Sequence, residues 1–271
     1  MNEHGYDLAL SEEEIATIFK LCGQDALLVG GQALAVWAQF FSVEPTAELA
    51  EKVTLDVDFV GSQTVANALS VALRWRLYLP SLEDSTPQTA KVSITLADGG
   101  IKQVDFLKSI AGLETTAIEA RGVDLALANG AHIRVLHPLD VLESRLRNLD
   151  LLPSKQNAIG SAQMRLAVGV MGKFLRVLLV QEPVRVLLEA VERVADIAFD
   201  PRLSRVLVTE GIDLLGEVPV LEINSTPFRE RRWPPLLAAQ TRLAKKNSAL
   251  LASRKRLLDR KDRKRRRDAK T

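Results

Sequence analysis

The sequence predicts an α+β protein (α/β-like) in three parts, and three observations support that fold class. Over residues 1–152, short apolar or alternating segments typical of strands are interleaved with segments of helical period. From Ala158 onward, the apolar residues recur at helical spacing. Residues 229–271 contain 17 Lys or Arg against 4 Asp or Glu, whereas the other 228 residues contain 19 against 30. We therefore expect a sheet-containing part over 1–152, a helical part over 153–228 and a basic C-terminal helix or tail over 229–271.

Local signals bound the elements of the first part. Ser11 and Glu14 have the spacing of a capping box that begins a helix. Asp98-Gly99-Gly100 is typical of a hairpin turn, and Pro138 begins a helix with leucines at helical spacing. In chain order we predict strands at 26–29, 53–60, 91–96, 101–107 and 133–136, and helices after Ser11, over 32–41, from Ser62 to Trp75, and after Pro138.

Prolines divide the second part of the chain. Glu182-Pro183 separates two predicted helices, 158–181 and 184–198, and Asp200-Pro201 opens another. We interpret residues 232–235, which include two consecutive prolines, as a rigid break before the basic segment.

Composition limits the classes to which the chain can belong. The acidic start over residues 1–7 has no apolar segment, so we predict no secretory signal. The most apolar stretch, 167–180, is interrupted by Lys173 and Arg176 and is too short and too charged to span a membrane. Cys22 is the only cysteine, so no intrachain disulfide can form, which fits a reducing compartment. We expect a cytoplasmic protein with no membrane partner.

The most informative segment is Thr-Leu-Asp-Val-Asp-Phe at 54–59. Asp56 and Asp58 stand two residues apart in a predicted strand, so they point to the same face, roughly 6.5–7 Å apart along it. Val57 and Phe59 point the other way, into a core. Paired carboxylates on a rigid strand suit a hard divalent cation. The alternative is a solvent-facing strand with two exposed acids.

A third carboxylate and a glycine pair accompany these two aspartates. In the predicted strand 101–107, Val104 and Phe106 would face the core and Asp105 the opposite side. Three acidic groups would then converge from neighbouring strands. Gly30-Gly31, just before a helix, lets backbone N–H groups approach a phosphate, although a simple tight turn is the alternative.

The order of these features resembles the polymerase-β-like nucleotidyltransferase superfamily: a strand, Gly30-Gly31 opening a helix, Asp56-x-Asp58 on a strand, and Asp105 on a neighbouring strand. The likeness covers residues 24–110, and the local sequence is most similar to the AbiEii/MenT toxin-like branch. It implies that residues 1–152 form a mixed-sheet nucleotidyltransferase domain flanked by helices. It also implies dependence on Mg²⁺ (or Mn²⁺) and transfer of a nucleoside monophosphate (NMP) from a nucleoside triphosphate (NTP).

That chemistry assigns a role to each residue. In-line attack of a hydroxyl on the α-phosphorus expels pyrophosphate. Two cations about 3.5–4 Å apart can stabilise the attacking oxygen and the leaving oxygen. We expect Asp56, Asp58 and Asp105 to form the metal site, with Asp105 also accepting the proton of the attacking hydroxyl. Gly30 and Gly31 would bind the triphosphate through their backbone.

The cationic contacts to the triphosphate must come from elsewhere. The toxin-like branch has a downstream Lys followed by acidic residues on a helix, and this chain departs from that pattern between residues 144 and 165. Arg145, Lys155 and Arg165 are the candidate triphosphate contacts. The alternative for each is a surface charge on a helix.

The basic segment predicts electrostatic capture of RNA or DNA, with an affinity that falls as salt rises. The alternative is a solvated tail, or one that folds onto the acidic body. Our leading hypothesis is a metal-dependent nucleotidyltransferase that modifies RNA or tRNA, as the toxin of a toxin–antitoxin or phage-defence system with an antitoxin protein as partner. The alternatives are an inactive nucleotidyltransferase-like scaffold that binds nucleic acid or a partner protein, and a small-molecule nucleotidyltransferase such as an antibiotic-modifying enzyme.

Overall fold

The computed structural model describes residues 6–23, 25–46, 49, 56–81, 83–84, 86–127 and 130–268. The strands in these residues are β1 (Tyr6–Asp7), β2 (Leu27–Val29), β3 (Val57–Val60), β4 (Arg76–Tyr78), β5 (Gln88–Thr95), β6 (Gly100–Leu107), β7 (Val123–Ala126) and β8 (His132–Val135). The α-helices in the same described residues are α1 (Glu12–Cys22), α2 (Gly30–Phe40), α3 (Gln63–Leu73), α4 (Thr115–Arg121), α5 (Pro138–Leu151), α6 (Ala158–Gln181), α7 (Val184–Phe199), α8 (Leu203–Glu210) and α9 (Trp233–Asp268).

The described strands form a mixed sheet in the order β4-β5-β6-β3-β2-β8-β7, with β1 paired to β6. β3 runs parallel to β6 and β2 runs parallel to β8, whereas the β2–β3, β4–β5, β5–β6 and β7–β8 pairs are antiparallel. The elements after β8 are helical. The predicted α+β class, with a mixed-sheet part followed by a helical C-terminal part, is therefore confirmed.

One face of the central strands builds the core. Val57 on β3 aligns with Val104 on β6, and Phe59 aligns with Phe106. All four side chains are fully or almost fully buried. The rings of Phe59 and Phe106 stack with their centroids 5.7 Å apart. Because side chains alternate along a strand, the residues between them are turned to the opposite face. The predicted inward orientation of Val104 and Phe106 is confirmed.

Helix α2 is held against the sheet by a buried hydrogen bond. The indole N–H of Trp37 donates to the carbonyl of Leu136, just after β8, at 2.7 Å. Ala33 and Leu34 of the same helix are also buried. These contacts fix the start of α2, at Gly30, next to the end of β2.

Several predicted boundaries are wrong, including the start of β5, which lies at Gln88 rather than at residue 91. Strand β3 begins at Val57, so Asp56 precedes the strand, and the predicted strand residues 53–55 lie outside the described residues. Pro234 and Pro235 do not break the chain but lie in the first turn of α9. A π-helical turn, Phe228–Arg232, runs directly into α9, and the N–H groups that the two prolines lack fall at this junction of two helix types. The basic segment is therefore helical as far as Asp268.

The chain divides into two compact units, Met1–Phe174 and Leu175–Thr271. The first contains the sheet, and the second contains α7, α8 and α9. Within the second unit, the side-chain amide of Asn247 donates to the Ser204 hydroxyl in a buried hydrogen bond of 3.0 Å that joins α9 to α8. The partition at residues 152 and 228 expected from the sequence is a different one and stays a prediction.

Among the described residues, we find no helix that is both long enough and apolar enough to cross a membrane.

A buried ion pair joins α4 to α5 in the first unit. Arg121, at the end of α4, donates to both oxygens of Asp140 in the first turn of α5, at 3.0 and 2.8 Å. The side chain of Asp140 is fully buried, whereas that of Arg121 is 39% exposed. Removing the arginine would leave a buried carboxylate without its cation, which is costly in a low dielectric.

We predict that Arg121→Ala lowers the free energy of unfolding by roughly 2–3 kcal/mol, somewhat less than for a fully buried pair. The matched control is Arg185→Ala, which removes an exposed ion pair with Glu189 on α7. An exposed pair of this kind contributes little to stability, because solvent screens the two charges. Denaturant unfolding of the two variants checks this, and equal losses would contradict it.

Candidate active site

A row of aligned residues crosses the sheet on the face opposite the core. Lys91 on β5 aligns with Asp105 on β6, and Asp105 aligns with Asp58 on β3. Asp58 in turn aligns with Val29, the last residue of β2, which Gly30 follows. Aligned residues on adjacent strands are direct neighbours and share a face. The structure therefore brings Asp58 and Asp105 side by side.

Asp56 lies beside a second row on the same face. The side-chain amide of Gln103 donates to Oδ1 of Asp56 at 3.2 Å. Gln103 stands two residues before Asp105 on β6 and aligns with Ser93 on β5. Residues two apart on a strand share a face, so Asp56 lies on the side of the sheet that carries the other two carboxylates.

The third carboxylate, Asp105, is held by two neighbours. The side-chain amide of Gln88 donates to its Oδ1 at 2.8 Å, and the Lys91 ammonium lies 3.8 Å from the same oxygen. Lys91 also donates to Oε1 of Gln103 at 3.2 Å. Asp105 is only 8% exposed. Its carboxylate is therefore fixed in position and faces a positive charge from β5.

Gly30 allows the backbone to approach the Asp58 carboxylate. The φ angle of Gly30 is +66°, in the left-handed region that favours glycine. A Cβ built on Gly30 would lie 2.1 Å from Oδ2 of Asp58. Helix α2 begins at Gly30, and its N-cap residue, Val29, provides no side-chain hydrogen bond to the first turn. A side chain at position 30 would therefore collide with a carboxylate that lies at a positively polarised helix end.

The charges around Asp58 oppose one another. Burial raises the pKa of Asp58, and the nearby carboxylate of Asp56 raises it further. Arg145 and Lys155 act in the opposite direction and favour the ionised form. A divalent cation between the two aspartates would relieve both unfavourable contributions, because it would replace lost hydration and separate the like charges.

The three predicted triphosphate contacts differ in their placement. Arg145 on α5 is 7% exposed, and its guanidinium donates to Gln163 and Ser144 at 3.3 and 3.2 Å. Its Nε is buried with no hydrogen-bond partner among the described residues. Burial lowers the pKa of Arg145, while the Asp58 charge counteracts this effect. Arg145 is thus a buried cation that interacts with the site.

Lys155, just after α5, is exposed and acts on Asp58 electrostatically. Arg165 is exposed on α6 and is not among the charges that shift the pKa of Asp58. The structure therefore associates Arg145 and Lys155 with Asp58, and the role of Arg165 as a triphosphate contact stays a prediction.

A metal fits two of the three carboxylates. Among the described residues, no group of three or more His, Cys, Asp or Glu side chains is placed to hold a metal ion. Asp105 is engaged with Gln88 and Lys91 instead. Mg²⁺ is commonly bound by one or two carboxylates together with substrate phosphates and water. The Asp56–Asp58 pair provides that donor set, so a divalent cation fits when a phosphate supplies further oxygens.

Sequence reasoning missed Gln88, Lys91 and Gln103. The signal for Lys91 and Gln103 is the alternation along β5 and β6, which places odd-numbered residues of both strands on one face. Gln88 reaches Asp105 from beyond an irregularity in β5 between Gln88 and Ala90, which alternation does not predict. To predict that Lys91 pairs with Asp105, the length of the hairpin loop must also be known. The Leu96 N–H donates to the Gly100 carbonyl, so the loop contains three residues rather than two.

Comparisons with known proteins give distant structural neighbours. The crystal structure of JHP933 from Helicobacter pylori is 12% identical, covers 92% of this chain and 100% of its own, and superposes with a TM-score of 0.32. A crystal structure of a "putative nucleotidyltransferase" from H. pylori is 13% identical, covers 89% of this chain and 99% of its own, and has a TM-score of 0.29.

A scan of known protein families finds no match to this chain. A search of the curated proteins finds no match either. Sequence identity and structural superposition with the two solved structures are both low.

We predict that Gly30→Ala is more destabilising than Gly99→Ala. Both glycines have positive φ angles, +66° and +86°, but no atom lies within 4 Å of a Cβ built on Gly99. The control therefore carries only the backbone penalty, roughly 1–2 kcal/mol. Gly30→Ala adds the collision with Asp58. Denaturant unfolding measures both losses, and a Gly30→Ala loss no larger than that of Gly99→Ala would contradict the close approach.

Proposed function

We propose that the protein is a metal-dependent nucleotidyltransferase that transfers an NMP from an NTP to an acceptor hydroxyl. The observation that carries this proposal is the acidic pair Asp56 and Asp58 beside the first turn of α2, where Gly30 lets the backbone approach the carboxylate of Asp58. A cation-binding pair next to a positively polarised helix end suits a metal-bound triphosphate.

Asp56 and Asp58 would hold the divalent cation. A cation bound there supplies charge stabilisation to the α-phosphate and to the attacking and leaving oxygens. The raised pKa of Asp58 supports this role, because the carboxylate is desolvated and lies close to a second negative charge. Gln103 would keep Asp56 oriented through its hydrogen bond.

The triphosphate would lie at the N-terminal end of α2. Gly30 and Gly31 have no side chains there, so backbone N–H groups can approach phosphate oxygens. Arg145 and Lys155 would provide the compensating cations, since both already act on Asp58. Arg145 offers a buried guanidinium whose Nε has no partner among the described residues.

Asp105 would accept the proton of the attacking hydroxyl. It lies beside Asp58 on the side away from Gly30, and Gln88 and Lys91 hold its carboxylate in place. A base that is already fixed loses little entropy when the reacting groups align.

We predict that transfer depends on the acidic pair. Purified protein is incubated with Mg²⁺, total RNA and NTPs labelled at the α- or the γ-phosphate. We expect label from the α-phosphate in the acceptor and label from the γ-phosphate only in pyrophosphate. Asp56→Asn and Asp58→Asn should each lower transfer by about a hundredfold or more, because each loses a metal ligand.

Asp124→Asn is the matched control, since Asp124 is an exposed aspartate on β7 of the same sheet. It should transfer label as the unaltered protein does. Transfer of the γ-label to the acceptor would contradict the reaction, and equal transfer by Asp58→Asn would contradict the site.

We further propose that the acceptor is a nucleic acid, RNA or tRNA, that the basic segment over 229–271 captures. The support is its excess of cations, 17 against 4 acids, on a segment that is helical from Trp233 to Asp268. With such an acceptor, the chain would act as the toxin of a toxin–antitoxin or phage-defence system, in the AbiEii/MenT-like branch and with an antitoxin protein as partner.

We predict that a chain lacking residues 244–271 binds RNA more weakly and with a shallower salt dependence. Each phosphate contact that is lost makes the slope of log K against log salt shallower by about one, because one fewer counterion is released on binding. Filter binding over a series of salt concentrations checks this. A small-molecule acceptor would not need the segment, so unchanged binding and unchanged transfer would favour that alternative.

A second candidate is an inactive scaffold of the same fold that binds nucleic acid or a partner protein. It is favoured by the lack of a three-ligand metal group among the described residues and by the engagement of Asp105 with Lys91. The two candidates differ in one respect: the scaffold binds RNA but transfers no label with Mg²⁺ or Mn²⁺ and any of the four NTPs.

A further inference from the structure

A groove lies beside the carboxylates on the same face of the sheet. Its volume is about 610 Å³, and strands β4, β5 and β6 and the segment after β4 line it. Three of its lining residues, Gln88, Lys91 and Gln103, also contact Asp105 or Asp56. Sites for small ligands have this size range. The groove is therefore continuous with the candidate active site.

The groove and the start of α2 lie on opposite sides of the carboxylates. Tyr78 on β4 aligns with Lys91, which extends the row to Tyr78, Lys91, Asp105, Asp58 and Val29 across five strands. Gly30 follows Val29 at one end of this row, and the groove occupies the other end. The attacking and leaving oxygens of an in-line displacement must likewise lie on opposite sides of the phosphorus.

The lining of the groove is mainly neutral and hydrogen-bonding. Besides the hydroxyl of Tyr78, its uncharged polar side chains are Thr86, Gln88, Ser93, Thr95 and Gln103. They include hydroxyl and amide groups, which both donate and accept hydrogen bonds. Such a lining matches a ligand that carries several hydroxyl groups.

The charges that line the groove are already engaged. Lys91 faces Asp105 and donates to Gln103. The carboxylate of Asp84 accepts from the backbone N–H of Ser81 at 2.8 Å. The groove therefore offers neither a cluster of free cations for a phosphate-rich ligand nor a cluster of carboxylates for a polycation.

An aromatic side chain borders the groove. Tyr78 is 41% exposed as a residue, and the guanidinium of Arg76 lies over one face of its ring at 4.5 Å from the centroid. Leu79, the next residue, is 52% exposed. The groove thus combines hydrogen-bonding groups with apolar and aromatic surface, the usual combination where a ring-shaped ligand is oriented by a few polar contacts.

We propose that this groove is the acceptor site and that it binds a neutral, hydroxyl-rich sugar ring whose attacking hydroxyl lies at Asp105. This inference rests on the proposed transferase function. The sugar O–H attacks the α-phosphorus of the NTP and its proton passes to Asp105. The bond from the α-phosphorus to the oxygen that bridges to the β-phosphate breaks, and pyrophosphate leaves on the Gly30 side.

Gln88 links the two halves of this site. It lines the groove and donates to Asp105 at 2.8 Å, so the same side chain borders the sugar and positions the carboxylate that accepts its proton. A polycationic acceptor such as an aminoglycoside is disfavoured, because no carboxylate cluster lines the groove to receive it.

The first test is direct binding by amide NMR, with no NTP present. Adenosine, methyl glucoside, an aminoglycoside and inorganic phosphate are each titrated into the labelled full chain. We expect the two neutral sugars to shift the amides of Gln88, Ser93 and Thr95, and the polycation and the phosphate to leave them unchanged. Shifts with the aminoglycoside alone, or with none of the four, would overturn the proposal.

The second test is blocking the groove in the transfer assay. Thr95 is exposed on β5 and lines the groove, so Thr95→Trp should raise the KM for the acceptor by roughly tenfold or more without changing the KM for the NTP. Ala126→Trp is the matched control, at an exposed position on β7 outside the groove. Ser93→Ala, which adds no bulk, should raise the acceptor KM in the same direction if Thr95→Trp does not fold.

The same assay identifies the source of the sugar. It also distinguishes failure of the transferase function from failure of the groove inference alone. Labelled transfer to a short RNA with a free 3′-hydroxyl, to adenosine or to methyl glucoside identifies the sugar source. If the unaltered chain transfers label to none of these acceptors or to total RNA, the transferase function fails. If it transfers label and Thr95→Trp and Ser93→Ala leave the acceptor KM unchanged, the groove inference alone fails.

Discussion

The placement of the Asp58 carboxylate is the constraint on which the rest of the site depends. Its strand fixes it beside Asp105, and the left-handed backbone of Gly30 lets the start of α2 come against it. No side chain fits at position 30 in this arrangement. The carboxylate is therefore held at the meeting point of a sheet face and a helix N-terminus, where a metal-bound phosphate would be stabilised.

The electrostatics of the site follow from this placement. A desolvated carboxylate next to a second one is unfavourable in isolation, and the pKa of Asp58 rises accordingly. The buried guanidinium of Arg145 offsets part of that cost, and Arg145 is desolvated in turn. The site thus contains two opposed charges whose hydration has been lost. Binding a cation and a polyphosphate would satisfy both groups together, which is a reason for such residues to be buried there.

The carboxylates can be located from the sequence because the face on which each one lies follows from local alternation along its strand. The phase of Asp105 against Val104 and Phe106 follows from alternation alone, and the structure has that phase. The sequence also predicts the strand that contains Asp58, although the strand begins at Val57, later than the sequence predicts. Local patterns of this kind survive folding because one face of a strand must be apolar.

The remaining parts of the site depend on contacts that no local pattern encodes. Lys91 faces Asp105 only because the hairpin loop has three residues, and a two-residue loop at Asp98-Gly99 would have shifted the register by one. Arg145 acts on Asp58 from a helix far along the chain, and its spacing resembles that of any helical surface charge. The groove is formed by three strands together, so it has no signature in any one of them.

The central claim, that Asp56 and Asp58 bind a divalent cation together with an NTP, is tested most directly by Mn²⁺ binding. The free Mn²⁺ signal in electron paramagnetic resonance is followed while protein is added with a non-hydrolysable NTP analogue. The account predicts that the unaltered chain depletes the free signal beyond what the analogue alone binds, and that Asp58→Asn does not. Equal depletion by Asp58→Asn, or none by the unaltered chain, would contradict it.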